Sequence, residues 1–163
     1  MITFLVMDVD GTLTDGKIYM GVNGELFKAF DIKDGYALHT LVKENGIVPV
    51  VITARKSPIV EHRCNELGVT EIHQGVMNKL DCLKDILKKY STGQQYSLAD
   101  VAYIGDDLLD LRCMIPIKES GGCVGCPNDS VKEVCDIADY VCHKKGGEGA
   151  VREFVEWIIG HNG

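Results

Sequence analysis

Phe4-Leu5-Val6-Met7-Asp8-Val9-Asp10-Gly11-Thr12-Leu13-Thr14 is an apolar run that ends abruptly in two carboxylates and a glycine. An apolar run of this kind reads as a strand buried on both faces of a parallel sheet. Side chains alternate along an extended backbone, so Asp8 and Asp10 fall on the same side, just past the strand end. Two negative charges in one place are unfavourable unless a cation or a shared proton relieves them. Gly11 carries no Cβ where the backbone turns, which lets another group come close. Taken alone, the stretch is also compatible with a surface loop bearing two solvated aspartates.

Reading outward, Gly16 to Gly21 and Glu25 to Phe30 flank Val22-Asn23-Gly24, and Asn-Gly is a strong hairpin signal. The arms, over about residues 16–30, carry apolar side chains on both faces (Ile18 and Met20 against Tyr19; Leu26 and Phe30 against Phe27 and Ala29). A two-stranded ribbon is marginal alone, so this one calls for a cover, plausibly another subunit. Asp34 then reads as the cap of a helix with the stripe Leu38, Leu41 and Val42, ended by Gly46. Ile47 to Ile52 is a second buried strand, closing on Thr53. Ser57 and Pro58 open the next helix, Glu71 to His73 forms a short strand, and Leu80, Leu83, Leu87 and Tyr90 recur at helical spacing. Val101 to Ile104 is a further buried strand, followed at once by Gly105-Asp106-Asp107-Leu108-Leu109-Asp110. A helix through Leu111 and Met114 should break at Pro116. A strand, a short helix begun by Asn128 to Ser130 and a strand at Tyr140-Val141 follow. Gly146-Gly147-Glu148-Gly149 then leads into an amphipathic helix with Val151, Phe154, Val155 and Ile158.

Strands alternating with helices predict an α/β fold, a Rossmann-like, doubly wound parallel sheet with a protruding β-hairpin. No linker divides the 163 residues, so 1–163 reads as a single domain. The composition, 45% hydrophobic and 25% charged, is that of an ordinary globular chain. A net charge of −7 without any Lys/Arg-rich run argues against a nucleic-acid or anionic-membrane partner. Seven cysteines, an odd number scattered through helix-like and strand-like patterns, read as buried thiols in a reduced, cytoplasmic setting. Cys123-Val124-Gly125-Cys126 is a lone CxxC, short of the two pairs a structural zinc usually needs. The opening residues lack the basic leader of a signal peptide, and no segment approaches the roughly eighteen apolar residues of a membrane span.

Ligands of such sheets bind beyond the carboxyl ends of the strands. Three predicted strands end there on polar groups: Asp8 and Asp10, Thr53, and Asp106 and Asp107. Four carboxylates in one crevice call for a divalent cation, and hard oxygen donors suit Mg²⁺. Lys79 falls in the first turn of its helix, where the macrodipole disfavours a cation and an opposing anion would help; a solvated lysine at a frayed end fits equally well. Together these are the parts of a phosphoryl-transfer site.

In order and content, Asp8-Val9-Asp10-Gly11-Thr12, Thr53, Lys79 and Gly105 to Asp110 resemble the four motifs of the haloacid dehalogenase-like phosphatase superfamily. Asp15 to Gly21, Lys28-Ala29-Phe30, Lys33 to Tyr36, Gln74-Gly75, Asn78-Lys79-Leu80 and Gly146 to Glu153 extend the resemblance, over nearly the whole chain, to its capless sugar-acid phosphatases acting on 3-deoxy-D-manno-octulosonate 8-phosphate. The resemblance implies that Asp8 attacks phosphorus and that Asp10 acts as acid and then base. It implies that Mg²⁺ is held by Asp8, the Asp10 carbonyl and Asp106 with support from Asp107, and that Thr53 and Lys79 bind the phosphoryl oxygens. Asp110 would orient the loop or Lys79. Related enzymes are homotetramers whose hairpin helps cover the adjacent site. Only 42 residues lie between Asp10 and Thr53 and 25 between Thr53 and Lys79, which leaves no room for a cap domain.

The Gly147, Glu148 and Gly149 loop could meet an anionic sugar through free amides, or be a plain turn. Two departures bear on the substrate, since octulosonate-type members commonly carry Gly and Arg where this chain has Ala54 and Glu148. Relatives acting on 2-keto-3-deoxynononate 9-phosphate or N-acetylneuraminate 9-phosphate can carry Glu in that loop, whereas Arg55-Lys56 fits the octulosonate group. Two readings from other classes stand beside the enzyme: a non-catalytic oligomerisation module related to sialate-activating enzymes, and a phospho-accepting receiver. Retention of both Asp8 and Asp10 argues against each.

Overall fold

Strand β1 (Phe4–Met7) is wholly buried and lies in the middle of the sheet, because each of its four side chains has an apolar layer to enter. The computed structural model describes residues 1–162, without the side chain of Asn162. β1 is followed by the hairpin strands β2 (Tyr19–Gly21) and β3 (Gly24–Phe27), and then by β4 (Val48–Thr53), β5 (Glu71–Gln74), β6 (Val101–Ile104), β7 (Cys123–Cys126) and β8 (Tyr140–Val141). Six of them form one parallel sheet in the order β5-β4-β1-β6-β7-β8, and β2 pairs only with β3, antiparallel. The alternation of β1 divides the core. Leu5 and Met7 join Val51, Ala102 and Ile104 beneath the Pro58–Glu66 and Ala150–Asn162 helices. Phe4 and Val6 join Val50, Ile52 and Tyr103 beneath the Lys79–Tyr90 and Leu108–Glu119 helices.

The sheet order reverses at β1, which pairs with β4 on one side and β6 on the other. This is the switch point where doubly wound sheets open a crevice. Met7 pairs with both Val51 and Ile104, so Asp8, Thr53 and Asp106 all emerge at that one edge. Among the described residues no helix is long and apolar enough to cross a membrane.

Three local expectations give way to tertiary context. The Leu108–Glu119 helix runs straight through Pro116. Buried Cys113, Met114 and Ile117 bracket the proline, and their packing outweighs one lost hydrogen bond near the helix end. Asp31, not Asp34, caps the helix that starts at Ile32, accepting from the Lys33 and Asp34 amides. Asp34 is instead buried and accepts from the Arg152 amide at 2.8 Å, tying that helix to the start of the C-terminal one. The short helix after β7 starts at Lys132 without a side-chain cap. The hairpin forms as its Asn-Gly predicts, although Gly21 pairs with Gly24, so Val22 and Asn23 make the turn.

Candidate active site

The loop after β1 closes on itself, with Thr12, Leu13 and Thr14 all donating backbone hydrogen bonds to the Val9 carbonyl. Gly11 has φ +94°, a conformation open to glycine, and a Cβ there would collide with the Asp106 carboxylate. The missing side chain is therefore what lets Asp106 come in against the loop. Thr12, fully buried, donates its hydroxyl to Asp106 Oδ1 at 3.0 Å.

Lys79 is the first residue of its helix, capped by Asn78, and is 2% exposed. Its Nζ lies 2.9 Å from Asp8 Oδ1 and donates to Asp110 Oδ1 at 2.7 Å. Burial alone would push Lys79 down, but Asp8 and Asp110 outweigh it and hold the ammonium above its ordinary value. The two carboxylates also offset the unfavourable dipole at that helix start.

Oxygens of Asp8, Asp106 and Asp110 lie within 4.8 Å of one another. Burial, then repulsion from Asp110, raises Asp8 to about 6 despite Lys79. Burial, then the charges of Asp8 and Asp110, raises Asp106 to about 8. Anions held together against their own repulsion are a donor set fit for a cation, and carboxylate oxygens suit a hard one. Asp110 is fully engaged elsewhere. Its Oδ1 accepts from Lys79 and from the buried Tyr103 hydroxyl at 2.7 Å, and its Oδ2 accepts from the amides of Asp106 and Asp107 at 3.0 and 3.2 Å. Asp110 is thus the brace of the site, which leaves Asp8 and Asp106 as the carboxylates that could hold a metal.

The other expected residues fall into two groups. Thr53 is buried at the end of β4, two residues beyond Val51, the partner of Met7. Asp10 and Arg55 meet beside the trio, with Arg55 Nη1 3.7 Å from Asp10 Oδ1. Asp107 lies outside the trio: it is exposed, and its carboxylate caps the Leu108–Glu119 helix, accepting from the Leu108 amide at 2.7 Å. The glycine loop is not a cradle of free amides. Gly147 donates to the Thr12 carbonyl, Gly146 to Asp129 and Glu148 to the Lys145 carbonyl, and side chains at 146 or 147 would strike the Gly11 to Asp15 backbone. That loop buttresses the loop after β1, with Glu148 exposed.

Sequence reading missed Lys28 and Glu25. Lys28 reaches back from the end of β3 to donate to Asp10 Oδ1 at 2.5 Å. A lone lysine among the apolar residues of a hairpin arm was the available signal. Cys126 does not pair with Cys123 and turns to Cys135, thiol to thiol at 3.8 Å.

No protein-family model matches the sequence. A 3-deoxy-D-manno-octulosonate 8-phosphate phosphatase of Salmonella typhi is 42% identical over 158 residues, which cover 97% of this chain and 79% of that protein. The enzyme of that name from Moraxella catarrhalis, solved in complex with magnesium ion, phosphate ion and a KDO molecule, superposes with a TM-score of 0.87 at 38% identity, covering 98% of this chain and 86% of that one. A cobalt-bound deoxy-D-mannose-octulosonate 8-phosphate phosphatase from Haemophilus influenzae gives a TM-score of 0.87 at 31% identity, covering 98% and 88%. With such likeness over nearly all its length, the chain belongs to the 3-deoxy-D-manno-octulosonate 8-phosphate phosphatase family of the haloacid dehalogenase superfamily.

Proposed function

We propose that this chain, acting as one capless domain in the cytoplasm, is a Mg²⁺-dependent phosphatase that hydrolyses 3-deoxy-D-manno-octulosonate 8-phosphate. The observation that carries the reading is Lys79, buried between Asp8 and Asp110 at the sheet edge where Asp106 also emerges. A lysine so placed neutralises Asp8 and offers N–H donors to a phosphoryl group as it meets that carboxylate.

Asp8 attacks phosphorus, the bond from phosphorus to the sugar oxygen breaks, and Asp10 gives that oxygen its proton. Water then attacks the aspartyl-phosphate, Asp10 takes a proton from it, and phosphate leaves Asp8. One carboxyl group serves both steps because the first leaves it ionised. Thr53 and Lys79 hold the phosphoryl oxygens throughout. Asp8 and Asp106, with the Asp10 carbonyl, would hold Mg²⁺, which supplies charge neutralisation for the phosphoryl oxygens. The magnesium, phosphate and KDO in the Moraxella catarrhalis structure support this assignment.

The eight-carbon acid is favoured by Arg55, whose guanidinium stands beside Asp10 and whose side chain is 42% exposed, within reach of a sugar carboxylate. Exposed Glu148 favours the nine-carbon acids instead. Exposed Met20, Val22, Leu26 and Phe27 support a homotetramer assembled through the hairpin. The experiment is phosphate release, with and without Mg²⁺, from the 8-phosphate and from both nine-carbon 9-phosphates. We expect kcat/KM for the 8-phosphate to lead by at least ~10-fold, about 1.4 kcal/mol. A lead for either 9-phosphate would reassign the substrate, and metal-independent turnover would refute the site.

A further inference from the structure

The residue directly after β3 of the hairpin, Lys28, reaches the proposed acid–base residue Asp10. Lys28, whose side chain is 2% exposed, donates to Asp10 Oδ1 at 2.5 Å and lies 2.8 Å from Glu25 Oε1. The two contacts differ in kind. The bond to Asp10 is directed, whereas Glu25 Oε1 is buried without an aligned hydrogen-bond donor, so Glu25 acts on Lys28 as a counter-charge. Glu25 is fixed in turn by its other oxygen, which accepts the Ser57 hydroxyl at 2.6 Å. Arg55 Nη1 completes the group, 3.5 Å from Glu25 and 3.7 Å from Asp10 Oδ1. Two cations thus meet two carboxylates, and both cations approach Asp10 on the same oxygen.

This arrangement constrains how Asp10 can work. A carboxyl group that passes a proton to a leaving oxygen needs one oxygen to carry it and a fixed orientation toward the acceptor. With Oδ1 facing Lys28 and Arg55, Oδ2 is the atom left to carry the proton.

We propose that Lys28, seated by Glu25, is a positioning residue for Asp10: it anchors Oδ1 so that Oδ2 serves the departing sugar oxygen and then the attacking water. The hairpin then takes part in its own chain's chemistry. This rests on the acid–base role given to Asp10 above.

The test is leaving-group dependence in the full-length protein with saturating Mg²⁺. A sugar alkoxide needs a proton to leave, and p-nitrophenolate hardly does. For Lys28→Met we expect kcat on the octulosonate 8-phosphate to fall about 100-fold, in the range of general-acid effects, with KM changed less than about threefold. For p-nitrophenyl phosphate kcat/KM, which reports the steps through phosphorylation of Asp8, should fall less than about fivefold. Lys28→Arg should recover at least about tenfold of the lost kcat. Equal losses on both esters, or none on either, overturn the proposal. Should Lys28→Met not fold, Glu25→Gln decides: a loss confined to the sugar phosphate supports the proposal, and an even loss or none overturns it. A wild-type chain inert toward both esters would refute the phosphatase reading and this inference with it, whereas an active wild type with evenly impaired variants refutes the inference alone.

Discussion

The edge between β1 and β6 and the tip of the hairpin invert each other's chemistry. At the sheet edge, Lys79 and Asp110 are buried charges, 2% and 1% exposed, bonded to each other and, through Asp110, to the Tyr103 hydroxyl and the Asp106 and Asp107 amides. At the tip, Val22 is fully exposed and Met20 and Leu26 are more than half exposed, and the stacked Tyr19 and Phe27 rings, 4.4 Å apart, add to the antiparallel pairing that holds the strands together. Buried charge of this kind suits a place where a ligand is met, and exposed apolar surface of this kind suits a place that another protein surface could cover. The hairpin joins both roles, since its base reaches Asp10 and its tip does not.

Replacing Asp8, the proposed nucleophile, breaks the first half of that comparison. Asp8→Asn should lower kcat by at least ~10³-fold, as loss of a nucleophile does. It should also raise the melting temperature of the metal-free chain, because Asp106 and Asp110 lose a negative neighbour while Lys79 keeps Asp110. Steady turnover by this variant would show that Asp8 is not the nucleophile, and a lowered melting temperature would show that it is not a net source of repulsion.

Acidity sharpens the same point. Asp8 rises to about 6 and Asp106 to about 8, each first by burial, and Asp34 rises to about 6 by burial. Between the ordinary value of 3.8 and those values these three groups hold more protons in the folded chain than in the unfolded chain. Above about pH 6, where the lowered Glu25, Glu71 and Glu153 are ionised in both states, unfolding free energy of the metal-free protein therefore falls as pH rises toward 8. Each kcal/mol lost lowers the melting temperature by roughly 2–4 °C for a chain of this size. Added Mg²⁺ should restore stability most at the alkaline end, where its ligands are ionised. A melting temperature that climbs with pH in chelator would mean that Lys79, not mutual repulsion, governs the trio.

What the sequence revealed of this site follows from where each residue lies on its element. Asp8, Thr53 and Asp106 were legible because each ends a buried strand, and strand ends in a doubly wound sheet share an edge. Lys79 was legible as a cation at the wrong end of a helix. Lys28 was not, because nothing local tells a hairpin lysine to fold back across 18 residues to Asp10. Nor were the engaged amides of the glycine loop, which depend on its packing against Gly11 to Asp15. Pro116 misled for the converse reason, a sound local rule overruled by the core around it.

The hairpin tip supplies a smaller effect. Met20→Ser with Leu26→Ser removes two apolar side chains that are 62% and 64% exposed in the single chain. The chain's own fold should lose less than about 0.5 kcal/mol, as for surface changes. If the tip is an assembly surface, light scattering should show the assembly falling to smaller species. An unchanged mass would place the subunit contact elsewhere.

The smallest effect concerns Asp107, one residue from Asp106 and yet in solvent. A carboxylate that caps a helix contributes about 1 kcal/mol to stability, whereas one that holds a metal contributes to its affinity. Asp107→Ala should therefore lower the melting temperature by roughly 2–4 °C and leave the half-saturating Mg²⁺ concentration within about twofold, an energy difference near 0.4 kcal/mol. The bonds from the Asp106 and Asp107 amides to Asp110 survive the substitution, so the brace on the Asp106 loop stays intact. A tenfold rise in the Mg²⁺ requirement with an unmoved melting temperature would reverse the assignment and bring Asp107 into the metal site.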